Sequence, residues 1–77
     1  MRITENERKT LAIIARLIDR TGHSPKIRDV AEERGKAGLG KSVTAASATL
    51  SRLRTKGEVE WIPGRHETLS LIPPEPN

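Results

Sequence analysis

The 77-residue chain has no cysteine, no phenylalanine and no tyrosine, and Trp61 is its single aromatic residue. The missing cysteine excludes a disulfide-stapled scaffold and a thiolate zinc site. His23 and His66, the two histidines, stand far apart in the sequence and offer no metal site in its place. Without large aromatics the core must be thin and aliphatic. Leu, Ile and Val together number 17, and a chain this short buries only about 60% of its unfolded surface. No apolar run approaches the roughly 18 residues that a membrane span requires, and the N-terminus lacks the apolar stretch of a secretory signal. These absences leave one small cytoplasmic domain. It is too small for a deep catalytic pocket, so no enzyme, cofactor or small-molecule substrate is expected.

The formal net charge is +4, and its placement says more than its size. Between Arg34 and Lys56 lie six basic residues (Arg34, Lys36, Lys41, Arg52, Arg54 and Lys56) and no acidic one, leaving eight basic and ten acidic residues elsewhere. All of the excess positive charge is therefore in one segment. That pattern is the electrostatic footprint of a polyanionic partner.

Thr4-Glu5-Asn6-Glu7 fits a helix capping box. Leu11, Ile14, Ala15 and Ile18 then recur on one helical face, widened by Ile13 and Leu17, and Gly22 is a suitable residue just past the end. The first helix is expected from about Glu5 to Thr21. Ser24 with Pro25 suits the start of a second helix, which carries Ile27, Val30 and Ala31 inward and stops at Gly35, near Arg34. The second helix can equally begin one or two residues later. Three glycines between Gly35 and Lys41 mark a long turn. Ser42 caps a third helix whose buried stripe is Val43, Ala46, Leu50 and Leu53. Its opposite face holds Thr44, Ala45, Ala48, Arg52 and Thr55, with Ser47 and Ser51 at the margin. Gly57 ends it. Glu58–Ile62 and Thr68–Ile72 alternate as half-buried strands. Pro63-Gly64 suits a type II turn between them, with Arg65 and His66 at the hairpin tip. Residues 73–77 form a proline-rich tail outside the domain of residues 1–72. The expected fold is mainly α with a small β part: three helices plus a two-stranded antiparallel hairpin, the order of a winged helix-turn-helix.

Residues 35–42 also satisfy the phosphate-binding pattern G-x-x-x-x-G-K-S. That pattern needs a buried strand before the loop, and Asp29–Arg34 is too polar to supply one. No second apolar strand ending in Asp follows to hold magnesium. What survives is a site for an anion, such as a DNA phosphate, where Lys41 and Ser42 meet a helix N-terminus.

Thr21-Gly22-His23-Ser24-Pro25, Ile27-Arg28-Asp29-Val30-Ala31, Leu50-Ser51-Arg52-Leu53 and Lys56-Gly57-Glu58-Val59-Glu60 together resemble the N-terminal DNA-binding domain of LexA-type repressors over residues 3–72. The resemblance implies a winged helix-turn-helix that places its third helix in the major groove of operator DNA. The segment that reads bases falls on Ser42, Thr44, Ala45, Ser47 and Ala48. The Gly35–Lys41 turn is a few residues longer than the family's, and Lys26 stands where a capping Ser or Thr is usual. Positions 47 and 48 lack the polar or acidic pair common there. The family's self-cleaving protease half, with its Ser–Lys dyad, is missing from the chain. Self-cleavage is therefore not implied, and the chain reads as a stand-alone repressor of a mobile element or as an excised domain. The resemblance implies a bacterial or phage-encoded, nucleoid-associated protein.

Small side chains at Thr44, Ala45, Ser47 and Ala48 would let the helix approach the groove floor, with methyls on thymine and hydroxyls on either base type. Arg52 lies on the same face. From there it can reach a phosphate or a base edge. Lys36, Lys41, Lys56 and Arg65 are expected on phosphates, which position without reading sequence, and Arg28 is a further DNA-binding candidate. About five neutralised phosphates imply a slope of log K against log salt near −4 to −5. No long apolar surface suggests a stable dimer, so a monomer that pairs on a two-half-site operator is expected. A winged-helix module that binds the transcription machinery is the alternative. It would need an exposed apolar patch, and the sequence offers only Trp61 and Ile62.

Overall fold

The computed structural model describes residues 2–62 and 64–72, with all of their side chains except those of His66 and Glu67. The turn residue Pro63, the tail of residues 73–77 and the His66 side chain at the expected hairpin tip lie outside the described residues. Five elements follow in order: α1 (Glu5–Thr21), α2 (Ile27–Lys36), α3 (Val43–Thr55), β1 (Val59–Ile62) and β2 (Arg65–Leu71).

α1 begins where its capping box places it. The Thr4 N–H donates to Glu7 Oε1 at 2.8 Å and the Glu7 N–H donates to Thr4 Oγ1 at 3.1 Å, which satisfies two of the donors a helix start leaves free. It ends at Gly22, left-handed at φ 76°, whose N–H reaches Ile18 O at 2.7 Å. Its buried face is Glu7, Thr10, Ile13, Ile14 and Leu17, with Leu11 and Ile18 half-buried and Ala15 exposed. The centre of the expected face thus shifts to Ile13, Ile14 and Leu17, which share the core with residues of α2, α3 and β2, while Leu11 and Ile18 pack at its edge and Ala15 falls outside it. Towards its start this same face turns polar.

α2 starts after Lys26, two residues later than a Ser24 cap, which is the later of the starts the sequence leaves open. The Lys26 N–H finds the Asp29 carboxylate at 3.4 Å, while the Ser24 hydroxyl donates to Leu69 O at 2.6 Å and ties the α1–α2 turn to the hairpin. Gly35 does not stop α2, which continues to Lys36. A Cβ at Gly35 would lie 2.3 Å from Lys41 Cγ, so glycine serves a close approach there. The chain then turns through Gly38 and Gly40, both at positive φ. Between them Leu39 packs against the core, with its N–H on Arg34 O at 2.8 Å.

α3 is capped by Ser42, whose Oγ accepts the Ala45 N–H at 3.1 Å. Ala46, Thr49, Leu50 and Leu53 are its buried residues. Val43, expected in that stripe, is 44% exposed. Thr49 takes its place on the inner face, and Val43 edges an open groove instead. The core gathers Ile13, Ile14, Leu17, Val30, Leu50, Leu53, Val59 and Leu69 from all five elements.

β1 and β2 pair antiparallel through Val59↔Leu71, Glu60↔Ser70 and Ile62↔Arg65, with a register shift between Glu60 and Ile62. Across that shift Thr68 stands in for a ladder partner: its Oγ1 accepts the Ile62 N–H and donates to Arg65 O, both at 2.7 Å. The second strand therefore begins at Arg65 rather than Thr68, and Arg65 belongs to the ladder rather than to a loop.

Candidate nucleic-acid interface

Thr44, Ala45, Ser47, Ala48, Ser51 and Thr55 are all exposed on α3. At 100° per residue, the direction opposite the buried residues is occupied by Thr44, Ala48, Ser51 and Thr55, spaced i, i+4, i+7 and i+11. These four small side chains form one straight row along the helix. Ser51, read from the sequence as marginal, belongs to it, and its i+3 spacing from Ala48 is the signal that shows this. Ser47 instead turns towards the hairpin. It lines a groove of about 160 Å³ with Pro25, Ile27, Val43, Leu50, Trp61 and Leu69. Ala45 and Arg52 lie on the other margin of the row, and Ser42 sits exposed at its start.

The cations sort into two groups. Lys41 is exposed beside the α3 N-terminus, its stem lying against Gly35. Arg28 on α2 and Arg65 on β2 are exposed as well. Lys36 is exposed and pairs with Glu33 at 3.1 Å, and Arg20 reaches the same carboxylate at 3.6 Å. The Lys36 hydrogen bond, helped by the charges of Lys36 and Arg20 and opposed by burial, holds the Glu33 carboxyl below its usual range. Arg54 lies over the Trp61 ring, 4.6 Å from its centroid, a cation–π contact that braces α3 against the hairpin.

The second group pairs with the interior: Arg34 and Lys56 are largely enclosed, while Arg52 reaches in from a side chain that is 55% exposed. Arg34 is only 2% exposed. Its Nη1 donates to Thr10 Oγ1 at 2.6 Å, Asn6 Oδ1 at 3.0 Å and Thr49 Oγ1 at 3.3 Å, and its Nε is buried without a hydrogen-bond partner. Burial first, and the nearby Arg52 charge second, push its pKa down, though an arginine remains charged in proteins. Glu7 is fully buried. Lys56 Nζ donates to its Oε1 at 2.6 Å and Arg52 Nε to its Oε2 at 3.2 Å. The Lys56 hydrogen bond and the Thr4 N–H hold the Glu7 carboxyl at about 2, against the opposing effect of burial.

Two expectations change as a result. Arg34 is a structural cation, so one of the six charges counted towards a polyanion footprint never faces solvent. Lys56, whose side chain is 16% exposed, is engaged by an internal carboxylate rather than offered outward. The phosphate-loop pattern also fails its structural test, because its first residues, Gly35 and Lys36, are the end of a helix and α2, not a strand, precedes the turn.

Three helices, with α2 and α3 joined by a turn and a hairpin flanking α3, define a winged helix-turn-helix domain. Residues 1–68 match the family model described as the LexA DNA binding domain, and the chain belongs to that family. It is 34% identical over 71 residues to the LexA repressor of Marinobacter nauticus, an alignment that covers 92% of this chain and 33% of that protein. The chain thus spans about one third of the length of this curated relative. Among the described residues, no helix is long and apolar enough to cross a membrane.

Proposed function

We propose that the chain is a sequence-specific double-stranded DNA-binding regulator that represses transcription, acting in the cytoplasm on two-half-site operators. The observation that carries this reading is the row Thr44–Ala48–Ser51–Thr55: four small, exposed side chains on the outward face of α3, in a chain of the LexA DNA-binding domain family. An unobstructed helix face allows close approach to the major-groove floor, where Thr44 and Ala48 meet base edges, with Ala45 at one margin of the row and Ser47 at the hairpin margin. Ser42 and Lys41 face a phosphate at the helix start. Arg28, Lys36 and Arg65 contact the flanking backbone and fix the register. With about four phosphates neutralised, the slope of log K against log salt is near −3.6. The domain is a monomer in free solution and pairs on its operator.

Selection from a random duplex library at low and moderate salt, with the bound pool sequenced, tests the proposal. A sharp motif that persists at the higher salt is the expected result. No enrichment, with binding lost as salt rises, would reduce the basic surface to a general polyanion patch and move the function to a protein partner.

A further inference from the structure

We propose that Glu7 is an internal counter-anion that keeps Arg52 and Lys56 off the DNA backbone, and so restrains binding to random sequence. This rests on the DNA-binding reading above. Arg52 and Lys56 share a shallow surface depression with Ser51 and Thr55 at the C-terminal end of α3, directly beside the outward row. Two cations at that place would meet a phosphate of any DNA lying along the row. Lys56, with its side chain 16% exposed, is committed to the interior, and Arg52, with its side chain 55% exposed, is held there through its Nε. Glu7 has no exposed surface, and its two carboxylate oxygens accept from Lys56 Nζ at 2.6 Å and Arg52 Nε at 3.2 Å, as well as from the Thr4 N–H at 2.8 Å. Thr49 Oγ1 accepts from the Arg52 guanidinium at 3.2 Å and fixes it further. The carboxylate thus offers Arg52 and Lys56 what a phosphate would offer, and it does so from inside the fold, where salt screens the enclosed Lys56 pair poorly and the more exposed Arg52 pair more strongly.

The consequence is a matter of counting. A cation already paired inside the protein releases no counterion from DNA, whereas each cation that neutralises a phosphate adds about −0.9 to the salt slope. Non-specific affinity is almost wholly this electrostatic contribution, so withholding two cations lowers it without touching the base-reading row. Glu7 is therefore a positioning residue for discrimination rather than a DNA contact.

The test measures duplex affinity against salt for the wild-type chain, Glu7→Gln, Lys56→Met and the double variant, on random-sequence DNA, with circular dichroism to verify folding. Gln suits the capping-box position as well as Glu does, so the α1 start is retained while the charge is lost. Glu7→Gln is expected to steepen the slope by about one to two and to tighten low-salt binding about tenfold or more. Lys56→Met alone should leave the slope unchanged, and the double variant should lose about one unit of the gain. A folded Glu7→Gln with an unchanged or shallower slope overturns the proposal. So does a Lys56→Met slope shallower by about one, and that arm decides the matter if Glu7→Gln does not fold. A wild-type chain with no duplex affinity at any salt would remove the DNA-binding reading itself, which is a different result.

Discussion

Glu7 and Lys56 are 49 positions apart in the sequence, and the Lys56 ammonium donates to Glu7 Oε1 at 2.6 Å. The contact joins the first turn of α1 to the residue that caps the end of α3. With Arg52 on the other oxygen and Arg34 braced among Asn6, Thr10 and Thr49, it makes one end of the helical core polar where the other is aliphatic. A buried polar cluster of this kind is stabilising only while every member keeps its partners.

Acid should expose the Glu7 contribution. Its folded pKa, about 2, lies below the ordinary 4.5. A depressed carboxylate pKa means that the stabilisation is fully present above about 4.5 and is lost as pH falls towards 2. Glu33 acts in the same direction. Urea midpoints should be level from pH 7 to 5 and fall steeply between pH 4 and 2. In Glu7→Gln the acid limb should be much shallower. An acid limb identical to wild type would show that other groups carry it.

Arg34 should tolerate an apolar replacement better than a truncation. Arg34→Ala leaves a cavity and removes three hydrogen bonds, and should cost about 3 kcal/mol or more by urea unfolding. Arg34→Met keeps the stem. The hydroxyls it deserts still donate to Asn6 O and Ala45 O, so its cost should be within about 1 kcal/mol, as for other buried charges exchanged for apolar groups. Equal losses in the two variants would contradict this.

Ser42 caps α3 and is proposed to meet a phosphate, and two substitutions separate the two roles. Ser42→Ala removes the cap on the Ala45 N–H and should lower stability by about 1 kcal/mol. Ser42→Asp keeps a capping oxygen and should retain stability. Its negative charge would face the DNA backbone, and duplex affinity should fall about tenfold or more. Thermal melts and titrations on one selected duplex read both effects.

Within the reading row, Ala48→Glu should change or abolish the selected motif while leaving the fold intact, since Ala48 is exposed on a helix. Lys41→Ala should instead weaken all duplexes alike and make the salt slope shallower by about 0.9. An Ala48→Glu variant that selects the wild-type motif with wild-type affinity would remove the row from the interface.

Local signals made much of this architecture legible. Thr4, Glu7 and Gly22 set both ends of α1, Ser42 the start of α3, and the alternation at Val59–Ile62 the first strand. Each of these is decided within a few residues of itself. Gly35 misled because its lack of a side chain serves the neighbouring Lys41 stem rather than a helix end. Sequence left the α2 start open between Ser24 and a position one or two residues on, and the later one holds because the Ser24 hydroxyl goes to Leu69, 45 positions away. The basic segment was overcounted for the same reason. Arg34, Arg52 and Lys56 find their partners on α1, and no window of sequence brings those partners together. The outward face of α3 was visible from helical spacing alone, with Ser51 displaced only by a small rotation of the buried stripe towards Thr49.

The surface proposed to meet DNA is the outward face of α3 with the hairpin beside it. Titrating the isotopically labelled chain with its selected duplex, and following backbone amide shifts residue by residue, tests this most directly. The largest changes are expected at Lys41–Ala48, Ser51 and the Gly64–Arg65 end of the hairpin, with little change at the exposed α1 residues Ala12, Arg16 and Asp19. Changes centred on α1, or confined to the groove of Pro25, Val43 and Trp61, would contradict it.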